Sequence, residues 1–128
     1  MTRVLVVDDD ADIRATLRMA LEDEQYTVAE AANGRIALEM LRSSSKSHVV
    51  LLDALMPEMN GEELLLIVVR DSVLSQRHRY IFFTARSSGL TPSLEEALAS
   101  LHAPIVSKPF DISMLTETVA ASAKQLPQ

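Results

Sequence analysis

The sequence predicts an α/β domain in which five strands alternate with five helices, forming a parallel sheet covered on both sides. Three observations carry this reading. Residues 4–7, 49–52 and 80–83 are runs of four apolar residues, which read as strands buried on both faces. Between the runs, apolar residues recur at helical spacing behind capping signals. The chain has 128 residues, the size of one ordinary domain with a real core. Residues 1–124 are read as that domain and 125–128 as a tail or the start of a linker.

The first run, Val4-Leu5-Val6-Val7, ends in Asp8-Asp9-Asp10. Ile13, Leu17, Ala20 and Leu21 then form a helical stripe with Arg14, Arg18 and Glu22 off it. Asp10 and Asp12 are read as acidic residues favoured at that helix's amino end. Residues 26–31 alternate like a half-buried strand. Asn33-Gly34 marks a turn, and Ile36, Ala37, Leu38 and Leu41 resume the helical period up to the polar Ser43-Ser44-Ser45.

The run at 49–52 ends on Asp53 and passes into a loop, Met56-Pro57-Glu58-Met59-Asn60-Gly61. Asn60 with Glu63 has the spacing of a capping box. Residues 64–69 are six apolar residues in a row, which suits a strand as well as a helix; the cap and the need for a crossover select the helix. The run at 80–83 stops at Thr84-Ala85, and Ser87-Ser88-Gly89 loops out. Ser93 precedes Glu96 by capping-box spacing, with Leu94, Ala97, Leu98 and Leu101 as the stripe. Residues 104–106 form a short last strand leading to Ser107-Lys108-Pro109-Phe110. Asp111 caps a final helix whose stripe is Ile112, Leu115, Val119 and Ala123.

A strand that leaves the core on a carboxylate delivers it to the sheet's carboxyl edge, where open α/β sheets place ligands. Asp8, Asp9, Asp53, Thr84 and Lys108 all fall at that edge. Three carboxylates together repel one another unless a cation joins them. A hard divalent ion with oxygen ligands is the natural partner, and Mg²⁺ uses few carboxylates, keeps waters and recruits phosphate. Lys108 is a point charge of the kind used on phosphate oxygens, and Thr84 donates a hydroxyl hydrogen bond. The set describes phosphoryl transfer to a carboxylate, with Asp53 attacking in line.

These residues resemble the receiver domain of two-component response regulators over essentially the whole chain. The resemblance rests on Asp8-Asp9, on Asp53 with Met56-Pro57 and Gly61 after it, on Thr84-Ala85 and on Lys108-Pro109-Phe110. It implies the flavodoxin-like, doubly wound receiver fold with strand order 2-1-3-4-5. It implies that a histidine kinase or histidine phosphotransfer protein supplies the phosphoryl group and that Asp53 accepts it. Asp8, Asp9, Asp53 and the backbone carbonyl of Leu55 would hold Mg²⁺, with Mn²⁺ as a substitute. Lys108 would contact the phosphoryl oxygens and Thr84 would close onto them as the switch.

The chain departs from the family pattern in places. Ile105 stands three residues before the lysine, where the family often has Tyr or Phe, and a β-branched side chain has fewer rotamer changes to transmit. Leu101-His102-Ala103-Pro104 lacks the glycine usual in that connection. Leu55 and Arg86 occupy positions two after Asp53 and two after Thr84, which in this family influence loss of the phosphoryl group; Leu55 is expected to shield the acyl phosphate from water.

Composition limits the alternatives. Apolar residues make up 48 % and charged residues 23 %, as in an ordinary globular domain. With no cysteine, disulfides, thiolate metal sites and thiol nucleophiles are excluded. A net charge of -6 argues against a general nucleic-acid or membrane surface. The N-terminus has no ordinary secretory signal, so a cytoplasmic location follows by default. His48, His78 and His102 have no metal-site spacing and are read as surface or loop residues; Met56 and Met59 are read as packing. Three functions compete: a phosphorylation-controlled receiver that is not a multiple-turnover enzyme, acting on an output partner as a monomer or phosphorylation-dependent homodimer; a pseudo-receiver that only binds a partner; and a Mg²⁺-dependent phosphohydrolase. The last needs a general acid two residues after Asp53, where Leu55 stands.

Overall fold

A computed structural model describes residues 1–56, 58–85 and 90–127. The elements run β1 (Arg3–Val7), α1 (Ala11–Asp23), β2 (Thr27–Ala31), α2 (Gly34–Ser43), β3 (His48–Asp53), α3 (Gly61–Val69), α4 (Ser72–Arg77), β4 (Arg79–Thr84), α5 (Pro92–Leu101), β5 (Ile105–Ser107) and α6 (Ile112–Ala123). All strand pairs are parallel, in the order β2-β1-β3-β4-β5. The apolar runs are buried because alternate side chains feed two separate cores. Leu5, Val7, Val50, Leu52, Tyr80 and Phe82 face one cluster, which α2, α3, α4 and α5 cover. Val4, Val6, Val49, Leu51, Ile81 and Phe83 face the other, under α1 and α6.

Residues 64–69 are helical, as the cap signal requires: the Asn60 side chain accepts from the Glu63 backbone N–H at 2.9 Å, and the Glu63 side chain accepts from the Asn60 N–H at 3.2 Å. Asp10 and Asp111 also cap their helices as read from the sequence.

Four readings need correction. The described residues hold six helices, the addition being α4. Its N-cap Asp71 accepts from the N–H groups of Val73 and Leu74, and burial of Leu74 anchors it. Asn33 is the N-cap of α2, and Ile36 on that helix is exposed while Ala37, Leu38 and Leu41 are buried. The cap of α5 is Thr91, not Ser93, because Pro92 fixes the first helical position and sets the start there. His78 is wholly buried rather than superficial; its Nδ1 accepts from the His48 backbone N–H at 3.0 Å. The expected loop at Ser87-Ser88-Gly89 lies outside the described residues, as do Pro57 and Arg86.

Candidate active site at the carboxyl edge of the sheet

Backbone pairing just past the strand ends positions the site. Asp8 follows β1, and its N–H donates to the Ala31 carbonyl at 3.1 Å, so the chain stays in the line of the sheet for one more residue. Its Oδ1 accepts from the Asp10 N–H at 2.9 Å, which fixes the side chain. Asp53 is the last residue of β3, and the next N–H, that of Ala54, donates to the Phe83 carbonyl. Thr84 ends β4, and the Lys108 backbone N–H donates to its carbonyl at 2.9 Å. That bond holds Lys108, one residue past the end of β5, beside Thr84, whose register partner is Ser107.

Asp8, Asp53 and Thr84 are buried, whereas Asp9 is exposed. Carboxylate oxygens of Asp8, Asp9 and Asp53 lie within 4.8 Å of one another. Lys108 Nζ donates to Asp53 Oδ1 at 2.9 Å and to Asp8 Oδ2 at 3.4 Å. Asp8, Asp9, Asp53 and Lys108 are thus brought together; Thr84 adjoins them through its carbonyl, and Leu55 is exposed two residues after Asp53.

Burial raises the Asp53 carboxyl above its ordinary value; the Lys108 hydrogen bond opposes the rise, and the charges of Asp8 and Asp9 reinforce it. Burial pulls the Lys108 ammonium down, but the hydrogen bond and charge of Asp53, with the charge of Asp8, outweigh it and leave it raised. Both partners move up because Asp53 is more buried and faces two like charges, whereas Lys108 is more exposed and faces only opposite ones. Three carboxylates against one ammonium leave two negative charges uncompensated when all are ionised. Two of those carboxylates are buried, where an unneutralised charge is costly. An all-oxygen donor set with this imbalance fits a hard divalent cation such as Mg²⁺.

Two supporting contacts were not legible in the sequence. Arg14, which reads only as an off-stripe residue, donates from a terminal guanidinium nitrogen to the Asp8 carbonyl at 2.6 Å and from Nε to Glu30 at 2.9 Å. It braces the acidic loop against β2. Asn33 Nδ2 donates to Glu58 at 3.0 Å, and the Gly34 N–H donates to the Met59 carbonyl at 2.9 Å. A Cβ on Gly34 would sit 2.6 Å from that carbonyl oxygen, so a glycine is needed where these two loops meet.

The family model for the response regulator receiver domain matches residues 4–120. The chain belongs to that family. As a receiver domain of two-component response regulators, it is similar to the response regulator MprA of Mycolicibacterium vanbaalenii, with 34 % identity over 79 % of this chain and 49 % of the relative. It is 33 % identical to sporulation initiation phosphotransferase F of Bacillus subtilis, over 91 % of this chain and 90 % of that one. The receiver thus spans about half the length of some curated relatives and nearly all of others. Among solved structures, it resembles the response regulator TrrA of Thermotoga maritima in complex with Mg²⁺ and BeF, with 31 % identity, a TM-score of 0.79 and coverage of 98 % and 100 %. The receiver domain of Francisella response regulator 1452 gives a TM-score of 0.83 at 27 % identity, with 98 % of each chain covered. Among the described residues, no helix is long and apolar enough to cross a membrane.

Proposed function

We propose that this receiver domain accepts a phosphoryl group on Asp53 from a phosphohistidine of a histidine kinase or histidine phosphotransfer protein. The observation that carries the reading is the cluster itself: a buried carboxylate at a strand end, two more carboxylates beside it and an ammonium 2.9 Å from its oxygen. In the transfer, an Asp53 carboxylate oxygen forms the new bond to phosphorus as the phosphorus–nitrogen bond breaks, and the imidazole leaves with the bonding pair. Lys108 releases Asp53 and takes up the phosphoryl oxygens, so its charge follows the transferred charge. The Thr84 hydroxyl donates to a phosphoryl oxygen, which pulls the end of β4 toward the site.

Asp8, Asp9, Asp53 and the Leu55 carbonyl would hold Mg²⁺, or Mn²⁺ in its place. When bound, the ion supplies charge neutralisation for carboxylates and phosphoryl oxygens that would otherwise repel. Ile105, 42 % exposed at the start of β5, replaces the aromatic of the usual switch, so Thr84 drives the conformational change without an aromatic partner. The product is an altered surface read by an output protein or domain, as monomer or phosphorylation-dependent homodimer, in the cytoplasm and without direct contact to nucleic acid or membrane. Residues 1–124 form the functional unit, and residues 125–128 are a C-terminal tail or the start of a linker. The domain assists its own phosphorylation and dephosphorylation but does not turn over an external substrate, since Leu55 cannot protonate a leaving group.

Incubation with acetyl phosphate and Mg²⁺ tests this. Stoichiometric labelling that is lost in Asp53→Asn supports the receiver. Multiple turnover supports a phosphohydrolase, and no labelling supports a pseudo-receiver.

A further inference from the structure

We propose that the opposite, amino edge of the sheet carries a docking groove for an acidic peptide segment of a partner protein, with apolar side chains interleaved among its carboxylates. An open groove of about 1070 Å³ lies there, between the starts of β1 and β3, α4 and the end of α6. Among the described residues its charged side chains are Arg3, Lys46, Arg77 and Lys124, with no Asp or Glu. A neighbouring groove shares Gln76 and Pro127 with it and adds Arg79, again with no Asp or Glu among the described residues.

This segregation runs against the composition, because the chain has 18 acidic residues to 12 basic ones. Among the described residues, every ion pair uses Arg14, Arg18 or Lys108, all outside the grooves. The groove cations are held, where they are held, by neutral backbone. Arg77 donates to the Ser44 carbonyl at 2.7 Å, and Arg79 donates to the carbonyls of Gln76 and His78 at 3.0 and 2.9 Å. Carbonyls orient a guanidinium without neutralising it. The positive potential of the groove is therefore available to an anion and attracts one selectively on a molecule that elsewhere repels anions.

The apolar lining selects the kind of anion. Met1 and Val73 line the same groove and are 87 % and 51 % exposed. An inorganic polyanion would satisfy the cations and leave these side chains bare. A nucleic acid carries a phosphate charge about every 1.7 Å of duplex and would extend across the acidic remainder of the surface. A short segment with Asp and Glu interleaved with Leu and Phe satisfies both parts of the lining and touches nothing beyond it. The groove lies at the opposite edge from Asp53, so this binding stands apart from the phosphotransfer reading.

The test is fluorescence anisotropy of a short fluorescein-labelled peptide of Glu and Asp interleaved with Leu and Phe, titrated with the intact chain at low and physiological salt. Binding is expected to weaken as salt rises and to fall roughly tenfold, about 1.4 kcal/mol, in Arg3→Glu/Lys46→Glu/Lys124→Glu. Val73→Ser is expected to weaken it separately. If the triple variant misfolds by circular dichroism, Lys46→Glu/Lys124→Glu, at two exposed positions, takes its place. Acetyl-phosphate labelling, read in parallel, keeps its wild-type level in the folded variants. Absence of peptide binding, or affinity unchanged by charge reversal, overturns the proposal. Equal binding of inorganic polyphosphate with no effect of Val73→Ser overturns the peptide assignment.

Discussion

Acid should destabilise this domain through His78. The imidazole is 0 % exposed, packs against the rings of His48 and Tyr80, and gives its Nδ1 to the His48 N–H. Its Nε2 has no hydrogen-bond partner among the described residues. Burial, with the charges of His48, Arg77 and Arg79 against it, pushes the group down from 6.5 to about 4, and only the Leu41 backbone acts the other way. In the unfolded chain the ring takes up a proton as pH falls through 6.5, whereas in the fold it stays neutral until about 4. Its contribution is thus fully present above pH 6.5 and is lost on acidification across that window, at about 1.4 kcal/mol per pH unit and roughly 3 kcal/mol in all. That is a sizeable part of the 5–15 kcal/mol typical of a domain. Urea denaturation from pH about 7.5 to about 4.5 measures it, comparing wild type with His78→Asn, whose amide oxygen can still accept the His48 N–H. The variant is expected to be less stable near neutrality, because it loses ring packing, and to have the shallower pH dependence, so the two curves converge in acid. Glu30, held low by Arg18 and Arg14, adds acid sensitivity below its ordinary range, but equally in both proteins. Parallel stability curves between pH 6.5 and 4.5 would refute the argument.

Gly61→Ala places a Cβ into the Asp53 carbonyl oxygen and close to the Phe82 ring, so α3 must shift away from the end of β3. A loss of about 1–3 kcal/mol in urea denaturation is expected, with slower acetyl-phosphate labelling; wild-type values for both would contradict it. His102 caps α5 in the left-handed region, with φ 53° and ψ 39°, a conformation that favours glycine. His102→Gly removes a conformational penalty of about 1–2 kcal/mol and loses part of it to a freer unfolded chain. A net gain of about 0.5 kcal/mol is expected, and a lowered thermal midpoint would count against it. Leu55→Ala, at the exposed position two residues after Asp53, is expected to shorten the half-life of the phosphorylated protein with Mg²⁺ present. An unchanged or longer half-life removes the shielding role.

The sequence by itself determined the strands and the composition of the site. Runs apolar on both faces have one stable solution, a sheet covered on both sides, and Asp8, Asp53, Thr84 and Lys108 fall at or just past strand ends, so a parallel arrangement carries them to one edge. The capping residues Asp10, Asn60 and Asp111 were legible because a cap is a local hydrogen bond, decided within one turn of helix. Tertiary structure decided what depends on register between distant segments. Arg14 reaches the Asp8 carbonyl and Glu30 only once β2 lies beside β1. His78, between two arginines in the chain, is buried because α4 folds back before β4. Five cations spread from Arg3 to Lys124 share adjoining grooves only because the starts of three strands, α4 and the end of α6 meet there. Periodicity records which face a residue takes on its own element; it holds no record of which other element that face will meet.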